Sequence, residues 1–322
     1  MKEMLLEIKE LETHFFTYEG VVKALNKVDL TIYKGETLGL VGETGCGKSV
    51  TALSILRLVP APPGKIVGGK VFFEGENLLE KEEKEMRKIR GSKISMIFQN
   101  PTSSLNPVFT VGNQVTTVTR THQKGSKREA QKKATEMFEL VRLPDPERTL
   151  WKYPHELSGG MQQRIMIAMA LSCEPSLLIA DEPTTALDVT IQAQVLNLIK
   201  KLKEETKTSI LLITHNLGIV AKMCDRVVVM YAGEVVEEAS LNKIFEAPKH
   251  PYTVGLLGAI PKLNQKEKLE VIKGSVCSLI DPPQGCRFYP RCSSFTEICQ
   301  KEKPARVKIE EDHFVSCHLY NF

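Results

Sequence analysis

The sequence has no apolar run approaching the roughly 18 residues that a membrane span needs. Its opening, MKEMLLEIKELET, carries neither a long apolar core nor a small-residue cleavage site, so no signal peptide is expected. Charge of one sign is also scarce. Lys and Arg number 43 against 39 Asp and Glu, a net charge of +4, which gives little reason to expect a nucleic-acid partner. The one basic stretch, Arg120 to Lys133 (RTHQKGSKREAQKK), reads as a solvated helix or loop. Close Cys-x₂₋₄-Cys pairs are missing among the eight cysteines, which weakens a structural zinc site without excluding it. A cytosolic protein of one large domain or two modest ones is expected.

What is present is most concentrated at Leu40 to Val50, LVGETGCGKSV. Gly42, Gly45, Gly47, Lys48 and Ser49 stand at the spacing of a phosphate-binding loop. Glycines let the backbone turn sharply and aim N–H groups at phosphate oxygens. Lys48 is placed to reach the β- and γ-phosphates, and the Ser49 hydroxyl to bind Mg²⁺. Glu43, Thr44 and Cys46 fill the variable positions, and Val50 follows. An apolar run, Thr37 to Val41, reads as a buried strand before the loop, and Lys48 to Leu58 as a helix after it. That helix would lend its positive dipole end to the phosphates. Cys46 reads as tolerated rather than catalytic. Beside Lys48 and a helix N-terminus, its thiol is expected to be acidic and sensitive to alkylation.

Upstream lie Phe15, Phe16 and Tyr18, of which Tyr18, then Phe16, is favoured to stack on adenine. Met4 to Ile8 and Val21 to Tyr33 carry strand-like residues, Pro60 to Gly69 reads as a loop and Lys70 to Phe73 as a strand. Leu78 to Arg90 reads as an exposed helix. Ile94 to Phe98 is an apolar strand ending at Gln99, followed by a loop, Asn100 to Pro107. Val111 to Val141 is mostly helical in character. Ser158-Gly159-Gly160 precede an apolar helix, Ile165 to Ser172, and a serine with glycines at a helix start makes an anion site. Ser176 to Ala180 is a buried strand ending in Asp181-Glu182. Asp181 is expected to hold Mg²⁺ through water, and Glu182 to polarise the attacking water. A turn, Thr184 to Asp188, leads to the helix Val189 to Lys203. Ser209 to Thr214 is another buried strand, with His215 at its end. Gln99, Asp181 and His215 thus sit at strand carboxyl ends, where ligands of open α/β sheets collect. Arg226 to Glu238 reads as a hairpin turning at Ala232-Gly233.

With these stretches in hand, the chain resembles the ATP-binding-cassette (ABC) family of transport ATPases. Residues Gly42 to Ser49 resemble its Walker A loop and Gln99 its Q-loop glutamine. Leu157 to Gln163 (LSGGMQQ), with Ser158, Gly159, Gly160 and Gln162, resembles the signature. Leu177 to Asp181 followed by Glu182 resembles Walker B with the catalytic glutamate, Thr185 to Asp188 (TALD) the D-loop, and His215 the switch histidine. The resemblance implies an α/β cassette over residues 1–245, with a mixed sheet, an antiparallel β edge and an α-helical subdomain at about 100–165. It also implies a C-terminal extension over 246–322. Two cassettes stack head to tail and trap ATP with Mg²⁺. Gln99 also contacts Mg²⁺, and Asp188 lies at the nucleotide. The partners implied are a second ABC ATPase subunit, two membrane permease subunits and an extracytoplasmic substrate-binding protein, with the chain peripheral on the cytoplasmic face. Phosphoryl transfer needs positioning and charge neutralisation more than covalent chemistry, and these residue types supply both.

MIFQNPTSSLNPVFTVGNQ (Met96 to Gln114), KHPYTVGLL (Lys249 to Leu257) and the tail Gly274 to His318 resemble the ATPase subunits of dipeptide/oligopeptide importers, among whose near relatives are nickel and other small-solute importers. A soluble, non-transport ABC ATPase would share the cassette, but such proteins usually carry two cassettes or a long coiled coil, and neither is present. The tail holds Cys286, Cys292, Cys299 and Cys317 at spacings x5, x6 and x17. Four thiolates can hold an iron–sulfur cluster or Zn²⁺, or stay free. The importer group's tail implies a [4Fe–4S] cluster. His313 and His318, flanking Cys317, are candidate substitutes in a zinc site, and Cys277 lies outside the pattern. A loop-rich segment with little apolar core, folded by its metal, is the expected role.

Overall fold

The structure is a computed structural model that describes residues 3–99, 104–184, 189–259 and 272–320. Its strands among the described residues are β1 (Met4–Thr17), β2 (Gly20–Tyr33), β3 (Thr37–Val41), β4 (Gly64–Phe73), β5 (Glu76–Asn77), β6 (Ile94–Ile97), β7 (Leu177–Asp181), β8 (Ser209–Ile213), β9 (Arg226–Tyr231), β10 (Glu234–Ser240), β11 (Arg306–Glu310) and β12 (His313–Ser316). The chain divides into two compact units. One comprises Met1–Glu3, Tyr33–Gly35 and Lys81–Leu211; the other comprises Met4–Ile32, Glu36–Glu80 and Leu212–Phe322. No helix among the described residues is long and apolar enough to cross a membrane.

In the first unit, β6 and β7 run parallel, with Ile94 opposite Leu177 and Ile97 opposite Ala180. All five residues of β7 are buried, as the near-continuous apolar run of a strand covered on both faces requires. The helices Val111–His122 and Lys127–Leu140 pack on each other and on the helix Gly159–Leu171. Lys127–Leu140 buries Ala130, Ala134, Met137 and Phe138, one stripe at helical spacing. It opens with a capping box: Glu129 N–H donates to Ser126 Oγ at 3.2 Å, and Ser126 N–H to the Glu129 carboxylate at 2.6 Å. The basic residues before Ala130 are exposed, as a solvated face should be. Glu83–Ile89 forms a helix that buries Met86 and Ile89.

In the second unit, β2-β1-β4-β5 form one sheet, and β11-β12-β10-β9-β3 are neighbours in another. β3 pairs in parallel with β9, with Val41 opposite Val229; the hairpin β9–β10 turns at Ala232 and Gly233, both in the left-handed region (φ 47° and 84°), as its sequence predicts. Two expectations change here. Residues 64–69, read as loop, belong to β4, because β1 is long enough to pair with them from Phe15 opposite Gly64 to Leu6 opposite Phe73. The tail, read as loop-rich, contributes β11 and β12, and β12 pairs with β10 through residues 313–315. An otherwise open edge of β10 explains why these short strands form.

Candidate functional site

The phosphate loop lies in the second unit, between β3 and the helix Lys48–Ile55. Gly42 and Gly47 have φ of 152° and 103°. A Cβ on Gly42 would stand 2.2 Å from the Met230 carbonyl, and one on Gly47 2.9 Å from the Ala24 carbonyl, so both positions demand glycine. Gly47 is the N-cap of the helix. Lys48 is buried, and its ammonium donates to the carbonyls of Gly42 at 2.7 Å and Glu43 at 2.9 Å. Thr44, Gly45 and Ser49 are exposed and Val50 half-buried. The Cys46 expectation is overturned. The residue is fully buried, and burial pushes its thiol pKa up despite the nearby Lys48 charge; desolvation outweighs the ammonium. Tyr18 occupies the β1–β2 turn, fully exposed, with Phe16 half exposed. His215 is exposed just beyond β8. The next residue, Asn216, caps the helix Leu217–Met223 with its side chain.

The described residues predicted for the strand ends at Gln99 and Asp181-Glu182 and for the signature fall in the first unit. Asp181 ends β7 and is buried. Glu182 follows with φ 47°, and its Oε2 accepts from Gln99 Nε2 at 3.2 Å. Ser158 is the N-cap of Gly159–Leu171, its Oγ accepting the Met161 N–H at 3.4 Å. The helix therefore starts at the signature glycines, six residues before the expected Ile165. Ser158 and Gly159 are exposed, so hydroxyl and helix N-terminus face solvent together. Gln162 is expected at the nucleotide. It is buried, and its Nε2 donates to the carbonyls of Pro154 and Leu157 at 2.8 and 3.2 Å, so it braces the approach to the helix. Asp188, with residues 185–187, lies outside the described residues, as do residues 100–103.

Cys286, Cys292, Cys299 and Cys317 line one cavity of about 80 Å³, together with His250, Phe288 and His318. Burial pushes the Cys286 thiol up to about 12, with the neighbouring Cys299 and Cys317 adding to it. Burial raises Cys292 and Cys317 as well, with Cys299 adding to the first and Cys292 and Cys299 to the second. Buried thiols that disfavour charge are what a bound cation would relieve. Among the described residues, however, no three His, Cys, Asp or Glu side chains stand where a single metal ion could join them, so the metal-bearing segment is met only as four thiols around one cavity. His313 is no zinc ligand here: it is buried against Glu237, Nε2 to Oε1 at 2.8 Å. His318 lines the cavity and puts Nε2 2.9 Å from the Glu302 carbonyl.

Two residues that the sequence reading passed over meet the phosphate loop. The Glu43 N–H donates to Tyr252 Oη at 2.8 Å, and Arg291 donates to both Glu43 carboxylate oxygens at 2.8 and 3.1 Å. Burial works against the Arg291 charge, but the hydrogen bonds to Glu43 and Tyr231 outweigh it and hold the pKa high. Their signal was the KHPYT and GCRFYPRC stretches, which the sequence marks without showing what they touch.

Two family models match the chain: "ABC transporter" over residues 25–185 and "Oligopeptide/dipeptide transporter, C-terminal region" over residues 236–299. A probable peptide ABC transporter ATP-binding protein of Sinorhizobium fredii is 52% identical over 321 residues, covering 99% of this chain and 96% of that one. The oligopeptide transport ATP-binding protein OppD of Bacillus subtilis is 50% identical over 317 residues, covering 98% and 88%. A solved dimeric ATP-binding cassette, MJ0796, in a post-hydrolysis state with ADP and Pi, superposes with a TM-score of 0.66 at 30% identity, covering 74% of this chain and 99% of that one. The cassette fold, the motifs carried on it and relatives matched along nearly their whole length agree, and the chain belongs to the ABC transporter family as an ATP-binding, ATP-hydrolysing subunit.

Proposed function

We propose that this ATPase drives uptake of dipeptides or oligopeptides across the cytoplasmic membrane. The observation that supports the substrate class most is the oligopeptide/dipeptide C-terminal region at residues 236–299, carried behind a complete cassette. The chain works with a second ATPase subunit, two membrane permease subunits and an external substrate-binding protein, and sits on the cytoplasmic face of the membrane.

Residue roles follow from the motif chemistry. The loop from Gly42 to Ser49 and Lys48 bind the nucleotide phosphates, and the Ser49 hydroxyl, Gln99 and Asp181 hold Mg²⁺. Glu182 accepts the proton of the attacking water and His215 steadies the γ-phosphate. Tyr18 stacks on adenine and Asp188 lies at the nucleotide. Ser158, Gly159 and Gly160 offer a helix N-terminus to the triphosphate held by the partner subunit, while Gln162 supports them from behind. A site completed by two chains turns over only when closed, which couples ATP use to movement.

Cys286, Cys292, Cys299 and Cys317 hold a [4Fe–4S] cluster. The four cysteines line one cavity and thiolates are the ligands such a cluster takes; bound there, it would cross-link the tail. The segment 246–322 then acts as an extension of the cassette at residues 1–245, whose helical subdomain spans about 100–165.

Reconstitution tests the transport reading. With the permeases and binding protein in liposomes, ATP should drive accumulation of labelled di- or oligopeptide, and Lys48→Ala should abolish it. Accumulation of Ni²⁺ with no peptide uptake would overturn the substrate class.

A further inference from the structure

The phosphate loop is held from outside by the C-terminal segment, at two points. At the first, Glu43 is gripped by both backbone and side chain: its N–H by Tyr252 Oη and its carboxylate by the Arg291 fork. The Arg291 side chain is only 6% exposed, and that of Glu43 27%, so this is a shielded bidentate pair of the stronger kind. Arg291 is itself fixed, its Nε donating to the Lys273 carbonyl at 3.0 Å and its guanidinium lying 5.7 Å from the Tyr231 ring centroid. At the second point, Arg287 donates to the Ala232 carbonyl. The adjoining Gly233 N–H donates to the Cys46 carbonyl at 2.9 Å. Between the two arginines, Phe288 is buried and meets Tyr231 edge-on at 5.1 Å and Tyr252 at 5.4 Å.

Tyr252 is placed with equal care. His250 caps its helix, Nδ1 accepting the Tyr252 N–H at 3.0 Å, and Pro251 occupies the first turn, where its missing N–H costs nothing. Neither Tyr252 nor either arginine has a role in the phosphoryl-transfer chemistry set out above. Yet all converge on a loop whose carbonyls Lys48 also holds.

We propose, resting on the phosphate-binding role of residues 42–49, that residues 286–292 and Tyr252 form a brace that fixes the shape of that loop, making Arg291 and Tyr252 positioning residues for nucleotide affinity. They act through Glu43 and do not touch the reacting atoms. A loop held in its binding shape pays less ordering entropy when phosphate arrives. The same residues 286–292 carry two of the four clustered cysteines, so ordering those thiols orders the brace.

The test is binding of methylanthraniloyl-ATP with Mg²⁺ to the full-length protein, read by fluorescence. Arg291→Ala should weaken binding about tenfold, within the usual range of coupling between linked sites. The KM for ATP should rise with it while turnover at saturating ATP stays within about twofold. Glu43→Gln should weaken binding similarly, and the double variant no more than either single one, because the two residues act as a pair. Tyr252→Phe removes one hydroxyl with little risk to folding and should weaken binding about threefold. Lys48→Ala serves as the control for the loop itself. If Lys48→Ala abolishes binding while Arg291→Ala and Tyr252→Phe bind like the parent, the brace is wrong and the nucleotide loop stands. If Lys48→Ala binds like the parent, the loop assignment falls and the brace with it.

Discussion

Gln99 Nε2 donates to Glu182 Oε2 at 3.2 Å, joining two residues 83 positions apart at the ends of neighbouring parallel strands. The amide holds one oxygen of the carboxylate to which the proposed base role is assigned. Gln99→Ala should therefore lower turnover at saturating ATP by about tenfold while ATP affinity changes little. Steady-state hydrolysis with a parallel binding titration checks this. Equal loss of both would make Gln99 a binding residue instead.

Arg226 joins two carboxylates in the second unit. It donates to Glu36 at 2.9 and 3.0 Å and also to Glu238, and all three side chains are less than a tenth exposed. Burial opposes the guanidinium charge, and the two carboxylates more than restore it. Arg226→Ala takes the guanidinium away from two buried carboxylates, of which Glu238 keeps Arg306 at 2.6 Å, and should cost about 3 kcal/mol, the low end for breaking a buried pair. Urea unfolding should show that loss. A change below about 1 kcal/mol would mean that the pair is solvated and weak.

Cys46 should resist alkylation. With its thiol fully buried and its pKa raised, the thiolate fraction at neutral pH falls, and labelling should grow only as pH rises past the ordinary thiol range. Iodoacetamide treatment at pH 7, read by mass spectrometry on the loop peptide, should show Cys46 reacting at least about tenfold slower than free cysteine. Fast labelling at pH 7 would contradict the burial.

Protein purified without oxygen should carry about four iron and four sulfide per chain and absorb broadly in the visible. Cys292→Ser should remove most of both. Stoichiometric zinc without iron would replace the cluster with a structural zinc site.

Much of the cassette was legible because its signals are local. Residues 42–49 carry their chemistry in consecutive positions, β3, β7 and β8 are unbroken apolar runs, and Ala232-Gly233 announce a hairpin by residue type. What was missed depends on partners distant in sequence. The strands β11 and β12 exist because β10 offers an edge. Glu237 accepts the backbone N–H groups of Lys249 and His250 at 2.7 and 2.8 Å and pairs with His313; no periodicity reports such a hub. Cys46 misled because proximity to a lysine and a helix start is visible in sequence, whereas complete burial is not. In the same way, a signature position does not reveal that the Gln162 side chain is buried.

The most direct test of the ATPase account is hydrolysis by Glu182→Gln. The substitution keeps size and hydrogen bonding but removes the carboxylate proposed as the base. Nucleotide binding should persist and turnover should fall by at least about 100-fold, the usual contribution of a positioned base. Hydrolysis at the parental rate would remove Glu182 from its role and, with it, the chemistry assigned to the end of β7.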